Sequence, residues 1–564
     1  VTVSTVQRDV HARARVTFRE VTARRVGAIA LIVAPLAWAW FRAIPDGDVV
    51  NRGGLSLIGG LLGSALHPSL DPTFLAVVAR ATLVTLTFAT LGTAGALVVG
   101  LLGGLVLSDA VWAARPLPPV RLLRLALRGV LVAVRSIHEL IWALLFVSVL
   151  GLDPLAAVLA IAVPFGAQTA KVFGETFDGV RPGPLRALQT AGARSLPAIA
   201  YSLLPQAATL LVSYSFYRFE CAIRSAVVLG VVGVGGLGQE LAVSLQSRNW
   251  DEVWTLIAAV VLLSAASDLW STRVRGDLAV VSCSDWSGGR SGGSQSGPSW
   301  VRWSALVALL GVAAAWFSSE VSLGGLFSAR TRELTFGLVH DMWPPALPAG
   351  GWGVLAGSVA DTIAMAVLAM AVAVGLTILI GPWAARTSRG SIDTRSSVLT
   401  RTARAASWWT ARAILLVLRS IPPTVWAVLA LLMLYPGVLP GALALGLYTG
   451  GILGRLVAEA WEAVDTRPRD ALRSIGTPGW LAGIAATAPP SAHQLVAYSL
   501  YRFEICVRET AIVGVVGAAG LGLLITENLA AFRFPVITTL LAACFAVSVA
   551  SEIASRQVRR MLQN

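Results

Sequence analysis

Residues 135–275 align with residues 419–559 without a gap when the sequence is shifted by 284 positions. "RSIHELIWA" at 135–143 falls on "RSIPPTVWA" at 419–427, and "GVVGVGGLG" at 230–238 falls on "GVVGAAGLG" at 514–522. Pro184, Ala187, Leu188, Gly192 and Pro205 fall on Pro468, Ala471, Leu472, Gly476 and Pro489, and Asp268 falls on Glu552. The chain is a tandem duplication. Whatever one copy folds into, the other must be able to fold into as well.

The repeated unit is apolar. The 564 residues are 56 % hydrophobic and 13 % charged, against about 25 % charged in soluble domains. Runs of about 17–25 apolar residues are long enough to cross ~30 Å of hydrocarbon. Six fall in the first half, near 26–44, 76–107, 125–150, 154–173, 199–217 and 252–271. Six more fall near 303–318, 355–382, 410–434, 438–457, 485–501 and 535–554. The expected fold is an all-α polytopic membrane protein with about 12 transmembrane helices, since helices satisfy their own backbone in lipid. An even number of spans per half sets both six-helix repeats the same way up, in parallel rather than inverted. The expected units are residues 1–275, a linker at 276–300, and residues 301–564. The linker holds "SDWSGGRSGGSQSGPS" (284–299) and reads as a flexible cytoplasmic tether.

A net charge of +14 invites a nucleic-acid partner, but the arginines are placed otherwise. They crowd the N-terminus (Arg8, Arg13, Arg15, Arg19, Arg24, Arg25) and then 115–128, 181–194, 273–302, 386–412 and 467–473. These are every second loop, as positive-inside topology predicts. Both termini are therefore expected in the cytoplasm, in a multi-pass protein of a bacterial cytoplasmic (inner) membrane with lipid, not nucleic acid, around it. The first apolar run is read as a retained helix, not a signal peptide, because its counterpart near 303–318 sits mid-chain. Cys221, Cys283, Cys506 and Cys544 are too dispersed for a zinc site or disulfide framework, and no metal is expected.

The chain lacks an engine of its own. Its one lysine, Lys171, does not follow a glycine, so no phosphate-cradling G-x-x-x-x-G-K-[ST] loop exists. "GVGGLG" at 233–238 fits G-x-G-x-x-G but follows an apolar span and recurs as "GAAGLG", whereas a dinucleotide site needs a preceding strand. The glycines read as a turn or a close packing point. No catalytic constellation emerges, and the chain is not expected to be an enzyme.

The loops between the fourth and fifth spans share a spacing. "RALQTAGARSLPAIAYSLLP" (186–205) and "DALRSIGTPGWLAGIAATAP" (470–489) both have Ala second, Gly seventh and Pro twentieth. This resembles the E-A-A-x-x-x-G…L-P loop of ABC importer permeases. "RSIPPTVWA", "PGPLRAL" at 182–188 and R-x-x-x-x-x-G-x-V-G-x-x-G-L-G from Arg224 and Arg508 resemble the phosphonate/phosphate-type permeases. The methionine-importer permeases are similar in the glycine-rich part. The resemblance implies a type I ABC importer-like fold with two permease units fused in one chain. It implies two copies of a separate ATPase subunit, which carry ATP and Mg, and one periplasmic or lipid-anchored substrate-binding protein. ATPase coupling is carried over to Arg186, Ala187 and Gly192 and to Asp470, Ala471 and Gly476. The family's leading Glu is Asp470 in one loop and Arg186 in the other, so the two docking points are expected to be unequal.

One charged phrase is also written twice, "YSFYRFE" at 214–220 and "YSLYRFE" at 498–504. A fifth span running outward puts Arg218, Glu220 and Arg224, and likewise Arg502, Glu504 and Arg508, toward the outer half of the bilayer or its face. Arg135 and Arg419 fall well inside the third span, near the bilayer middle. An arginine there costs ~2.5–3.5 kcal/mol, so it is expected to face a bundle interior and a pathway. Glu220–Arg224 and Glu504–Arg508, four apart, can pair on one helical face, which a purely structural ion pair would do equally well. Three arginines against one glutamate per half leave positive charge, which Glu139 and Glu509 reduce. Guanidinium forks suit tetrahedral oxyanions. These eight residues are the expected substrate pathway of an importer permease for phosphate- or phosphonate-type oxyanions, with weak binding that permits release. The alternatives are a permease for another solute such as methionine, or a parallel-repeat secondary transporter. The latter would need coupling acids, of which Glu139, Glu175 and Glu459 are the candidates.

Overall fold

A computed structural model describes residues 33–44, 48–112, 118–284, 299–319, 321–385 and 398–563. These residues are helical almost throughout, and a bridge between Val50 and Leu434 is the one β contact among them. The first half comprises α1 (33–43), α2 (Arg52–Ser64), α3 (Pro72–Leu107), α4 (Pro118–Ser136), α5 (Glu139–Leu150) and α6 (Pro154–Gly179). The short α7 (Gly183–Thr190) follows, then α8 (Leu204–Leu229), α9 (Leu237–Gln246) and α10 (Trp250–Ser284). The second half opens with α11 (Ser299–Ser318), α12 (Ala329–Asp341), α13 (Gly351–Ala384), α14 (Val398–Ser420) and α15 (Pro423–Met433). It ends with α16 (Val438–Glu462), α17 (Arg467–Ser474), α18 (Gly479–Val515), α19 (Leu521–Ala530) and α20 (Phe534–Gln563).

Seven described helices, α3, α6, α10, α11, α13, α16 and α20, are long and apolar enough to cross a membrane, and three bent pairs raise the number to ten. The expected span at 26–44 lies partly outside the described residues. α18, 37 residues long, has the length but not the composition, because His493 and Gln494 precede Arg502, Glu504 and Arg508. α10 continues to Ser284, and the rest of the glycine- and serine-rich linker, 285–298, lies outside the described residues.

The third span of each half differs from the straight helix expected. α4 and α5 meet at 96°, and α14 and α15 at 91°. Pro422 has no N–H to continue a helix. In the first half, His138 makes the same corner by accepting the Leu140 N–H at 3.2 Å on its ring. The tryptophan common to both motifs closes the corner. Trp142 Nε1 donates to the Val134 carbonyl and Trp426 Nε1 to the Leu418 carbonyl, each at 3.2 Å. Arg135 and Arg419 therefore stand at the end of one arm, beside the corner, not midway along a straight span.

The fifth span also extends beyond its expected end. α8 runs to Leu229 and α18 to Val515, so the repeated "YRFE" lies inside a long helix rather than at its outer end. An i, i+4 Glu–Arg pair is compatible with continuing the helix, and apolar residues flank it.

α3 lies along α6, and α13 along α16, through small residues. A Cβ at Gly100 would come within 2.4 Å of Thr169, and one at Gly446 within 2.6 Å of Val372. Glycines on both helices keep this interface close in the first half, Gly166 of α6 among them, and glycines of α16 do so in the second. The glycine-rich motif forms a turn, as its sequence predicts. Gly236 and Gly520 have φ of +80° and +85°, and the next N–H donates to Thr85 (2.9 Å) or Thr362 (3.0 Å) on the neighbouring helix. It follows a helix and not a strand.

α7 and α17 are eight residues each and end alike. Gly192 and Gly476 adopt φ of +87° and +91°. Ala193 N–H donates to Leu188 and Gly192 N–H to Gln189, while Thr477 donates to Leu472 and Gly476 to Arg473. This is the paired 6→1 and 5→2 closure of a left-handed C-cap. The glycine seventh in the loop is what stops the short helix.

Candidate functional site

The bends, the long charged helices and α6/α16 converge on one cavity of about 350 Å³ lined by residues of both halves. All eight residues of the expected pathway border it. Nine basic and six acidic side chains line its wall, the excess being positive. Arg135, Arg218, Arg419 and Arg502 are buried, as are Glu220 and Glu504, while Arg224 and Arg508 are partly buried.

Carboxylates hold most of these guanidiniums, and the pairing crosses between halves. Arg135 of the first half meets both oxygens of Glu552 of the second, at 2.8 and 3.1 Å. Arg419 of the second half meets Asp268 of the first at 2.8 Å. Lys171 joins Glu552 at 3.4 Å, and Arg455, its equivalent by the 284-residue shift, joins Asp268. Arg556 also contacts Glu552. Two pseudo-equivalent clusters result, each with a carboxylate from one half and a pair of basic groups from the other, Arg556 of the second half joining the Glu552 cluster.

The expected i, i+4 pairs form. Arg224 reaches Glu220 at 3.2 Å and Arg508 reaches Glu504 at 3.4 Å. They too tie the halves together. Glu220 also accepts from Arg419 at 3.2 Å, and Arg508 donates to the Arg135 carbonyl at 3.0 Å. Arg502 reaches Glu509 at 3.2 Å and the Thr449 hydroxyl at 3.3 Å. Glu139 accepts from Ser225 at 2.7 Å and lies 3.2 Å from His138. Glu175 stands 4.0 Å from Lys171, and Glu459 accepts from Arg455 at 2.7 Å.

Asp268, Glu552, Lys171 and Arg455 are absent from the pathway expected from the sequence. The signal was there: both pairs recur at the 284-residue shift, and charged residues repeated within apolar spans tend to be kept for a partner. The six expected coupling residues, Arg186, Ala187, Gly192, Asp470, Ala471 and Gly476, are exposed on α7 and α17 or at their ends, apart from the cavity. Among the described residues no cluster of His, Cys, Asp and Glu has the makings of a metal site.

The sequence profile of the binding-protein-dependent transport system inner membrane components matches residues 100–277 and again 406–563. The phosphate-import permease protein PhnE of Mycolicibacterium smegmatis is 29 % identical over 511 residues, 90 % of this chain and 89 % of that protein. The phosphite transport system permease protein PtxC of Stutzerimonas stutzeri is 30 % identical over 253 residues, 45 % of this chain and 89 % of its own length. Among solved structures, an inward-facing MetNI methionine ABC transporter is 21 % identical, with a TM-score of 0.33, covering 37 % of this chain and 95 % of the matched chain.

Proposed function

The chain belongs to the binding-protein-dependent transport system inner membrane components, and from that premise we propose that it forms both halves of the membrane passage of an ATP-driven importer for phosphate-type oxyanions. It is a multi-pass membrane permease, and the relatives named above are transport permeases rather than enzymes.

The observation that carries the substrate class is the cavity shared by the two halves, with more basic than acidic side chains on its wall. Guanidinium donors enclosed away from bulk water are stronger partners for a multiply charged oxyanion than the same groups in solution. The names of the relatives, a phosphate-import and a phosphite permease, agree with that chemistry. The carboxylates along the wall keep the field modest, which favours passage over retention.

The two short helices α7 and α17 support a docking point for one ATPase subunit on each half, with ATP and Mg bound on those subunits. Both termini and the 276–300 linker belong on the same, cytoplasmic, side as these helices, by the arginine distribution. A binding protein outside the membrane delivers the ion. ATPase closure then moves one half against the other as rigid bodies, and the crossed ion pairs are the contacts such a movement must rearrange.

Uptake of labelled phosphate, phosphite and an alkylphosphonate tests the reading in vesicles holding the chain with its ATPase and binding protein. ATP-dependent entry of at least one of the three is expected. Methionine entry with none of the three, or entry driven by a proton gradient without ATP, overturns it.

A further inference from the structure

Two arginines at equivalent positions of the cavity, Arg218 and Arg502, have different surroundings. Both are buried, 5 % and 6 % exposed. Arg502 is neutralised: Glu509, seven residues on along α18, accepts from it at 3.2 Å, and Thr449 accepts at 3.3 Å. Each of those partners is changed in the first half. Glu509 corresponds to Ser225, whose hydroxyl is turned to Glu139, and Thr449 corresponds to Phe165. The Arg218 guanidinium carbon lies over the Phe165 ring, 3.8 Å from its centroid. A ring face attracts the cation but supplies no lone-pair acceptor of the kind a carboxylate offers. Among the described residues, Nε and Nη2 of Arg218 have no hydrogen-bond partner and no carboxylate lies within ion-pair distance.

We propose that Arg218 is the anion-receiving group of the cavity, a one-sided subsite for a tetrahedral oxyanion in the first half whose counterpart in the second half is filled by Glu509. A buried guanidinium without a counter-ion is unfavourable enough to be rare. Here it borders a cavity between the halves, where a visiting anion can supply the missing charge. Its two unpartnered nitrogens present the edge that takes a phosphate-like group through paired N–H donors. Both nitrogens are shielded from solvent in this conformation, so the ion reaches them as the surrounding walls part. The identity of the anion rests on the importer reading; the existence of the subsite does not.

The test uses the full chain in detergent, with 31P line broadening of inorganic phosphate to read binding and thermal unfolding to read stability. Wild type is expected to bind phosphate, and Arg218→Gln to bind it about tenfold or more weakly, the loss that follows removal of charge-assisted hydrogen bonds. Stability separates a ligand-receiving role from a structural one. Arg218→Gln removes an unpaired buried charge and is expected to unfold at the wild-type temperature or above. Arg502→Gln strands Glu509 and is expected to unfold lower. Equal phosphate binding by wild type and Arg218→Gln, binding by neither, or a destabilised Arg218→Gln overturns the proposal. Transport failing while phosphate binding still depends on Arg218 removes the importer reading and leaves the subsite.

Discussion

Arg135 and Glu552 are 417 positions apart in the chain and are bound to each other by two hydrogen bonds, at 2.8 and 3.1 Å. Their equivalents, Arg419 and Asp268, are bound at 2.8 Å with the halves exchanged. Each half thus closes on a carboxylate it does not itself provide. The two clusters are not equally buffered. Among the described residues Arg135 has Glu552 as its one carboxylate, whereas Arg419 also has Glu220 at 3.2 Å.

That difference orders the consequences of losing each carboxylate. Glu552→Gln leaves Arg135 buried without a counter-charge, which costs about 3–5 kcal/mol. Asp268→Asn leaves Arg419 on Glu220 and Arg455 on Glu459, and is expected to cost clearly less. Unfolding midpoints of the two purified variants compare them directly. Equal losses would show that Glu220 does not substitute for Asp268.

The corner tryptophans give a second expectation. Phenylalanine at position 142 or 426 keeps the ring but deletes the N–H that satisfies the Val134 or Leu418 carbonyl. An abandoned carbonyl in an apolar setting costs about 1–3 kcal/mol. Trp142→Phe and Trp426→Phe should each destabilise the chain by that order, and similarly, because the two bonds have the same length. A stability unchanged in both would mean that the corner holds without the indole.

Helix contact through glycine is tested by adding one methyl group. Gly100→Ala places a Cβ 2.4 Å from Thr169, an overlap that forces α3 and α6 apart and costs about 1–3 kcal/mol. Gly375→Ala on α13 meets nothing within 4 Å and should be neutral or slightly stabilising, since Ala is the better helix former. Loss of stability at both positions alike would shift the cause from packing to something general about these helices.

The exposed short helices are chemically unequal, with Arg186 on α7 where α17 has Asp470. Asp470→Asn is expected to weaken capture of the ATPase subunit and lower transport severalfold, and Arg186→Gln to do less than that. Co-purification yields and uptake rates measured together decide it. A larger loss from Arg186→Gln reverses the assignment of the stronger handle.

Much of this arrangement is legible in the sequence because duplication prints it twice. The paired loops that become α7 and α17 could be read from their shared spacing, as could the Glu220–Arg224 and Glu504–Arg508 pairs, since four residues return a helix to the same face; that each loop opens as a short helix closed by its glycine could not. The corners were not legible. A turn of 96° inside a continuous apolar run leaves both arms apolar, and hydropathy carries no record of direction. Nor does spacing within one half reveal that Arg135 is answered by Glu552 from the other. The recurrence of Asp268 as Glu552, and of Lys171 as Arg455, hinted at it, and recurrence names a residue without naming its partner.

Ser225 standing where the repeat has Glu509 has a consequence for how such a protein can evolve. A permease assembled from two identical subunits must change both walls with every mutation, so that removing a carboxylate beside one arginine removes it beside the other. Covalent union of the copies lifts that obligation. One copy is then free to keep its internal balance while its twin drifts toward recognition.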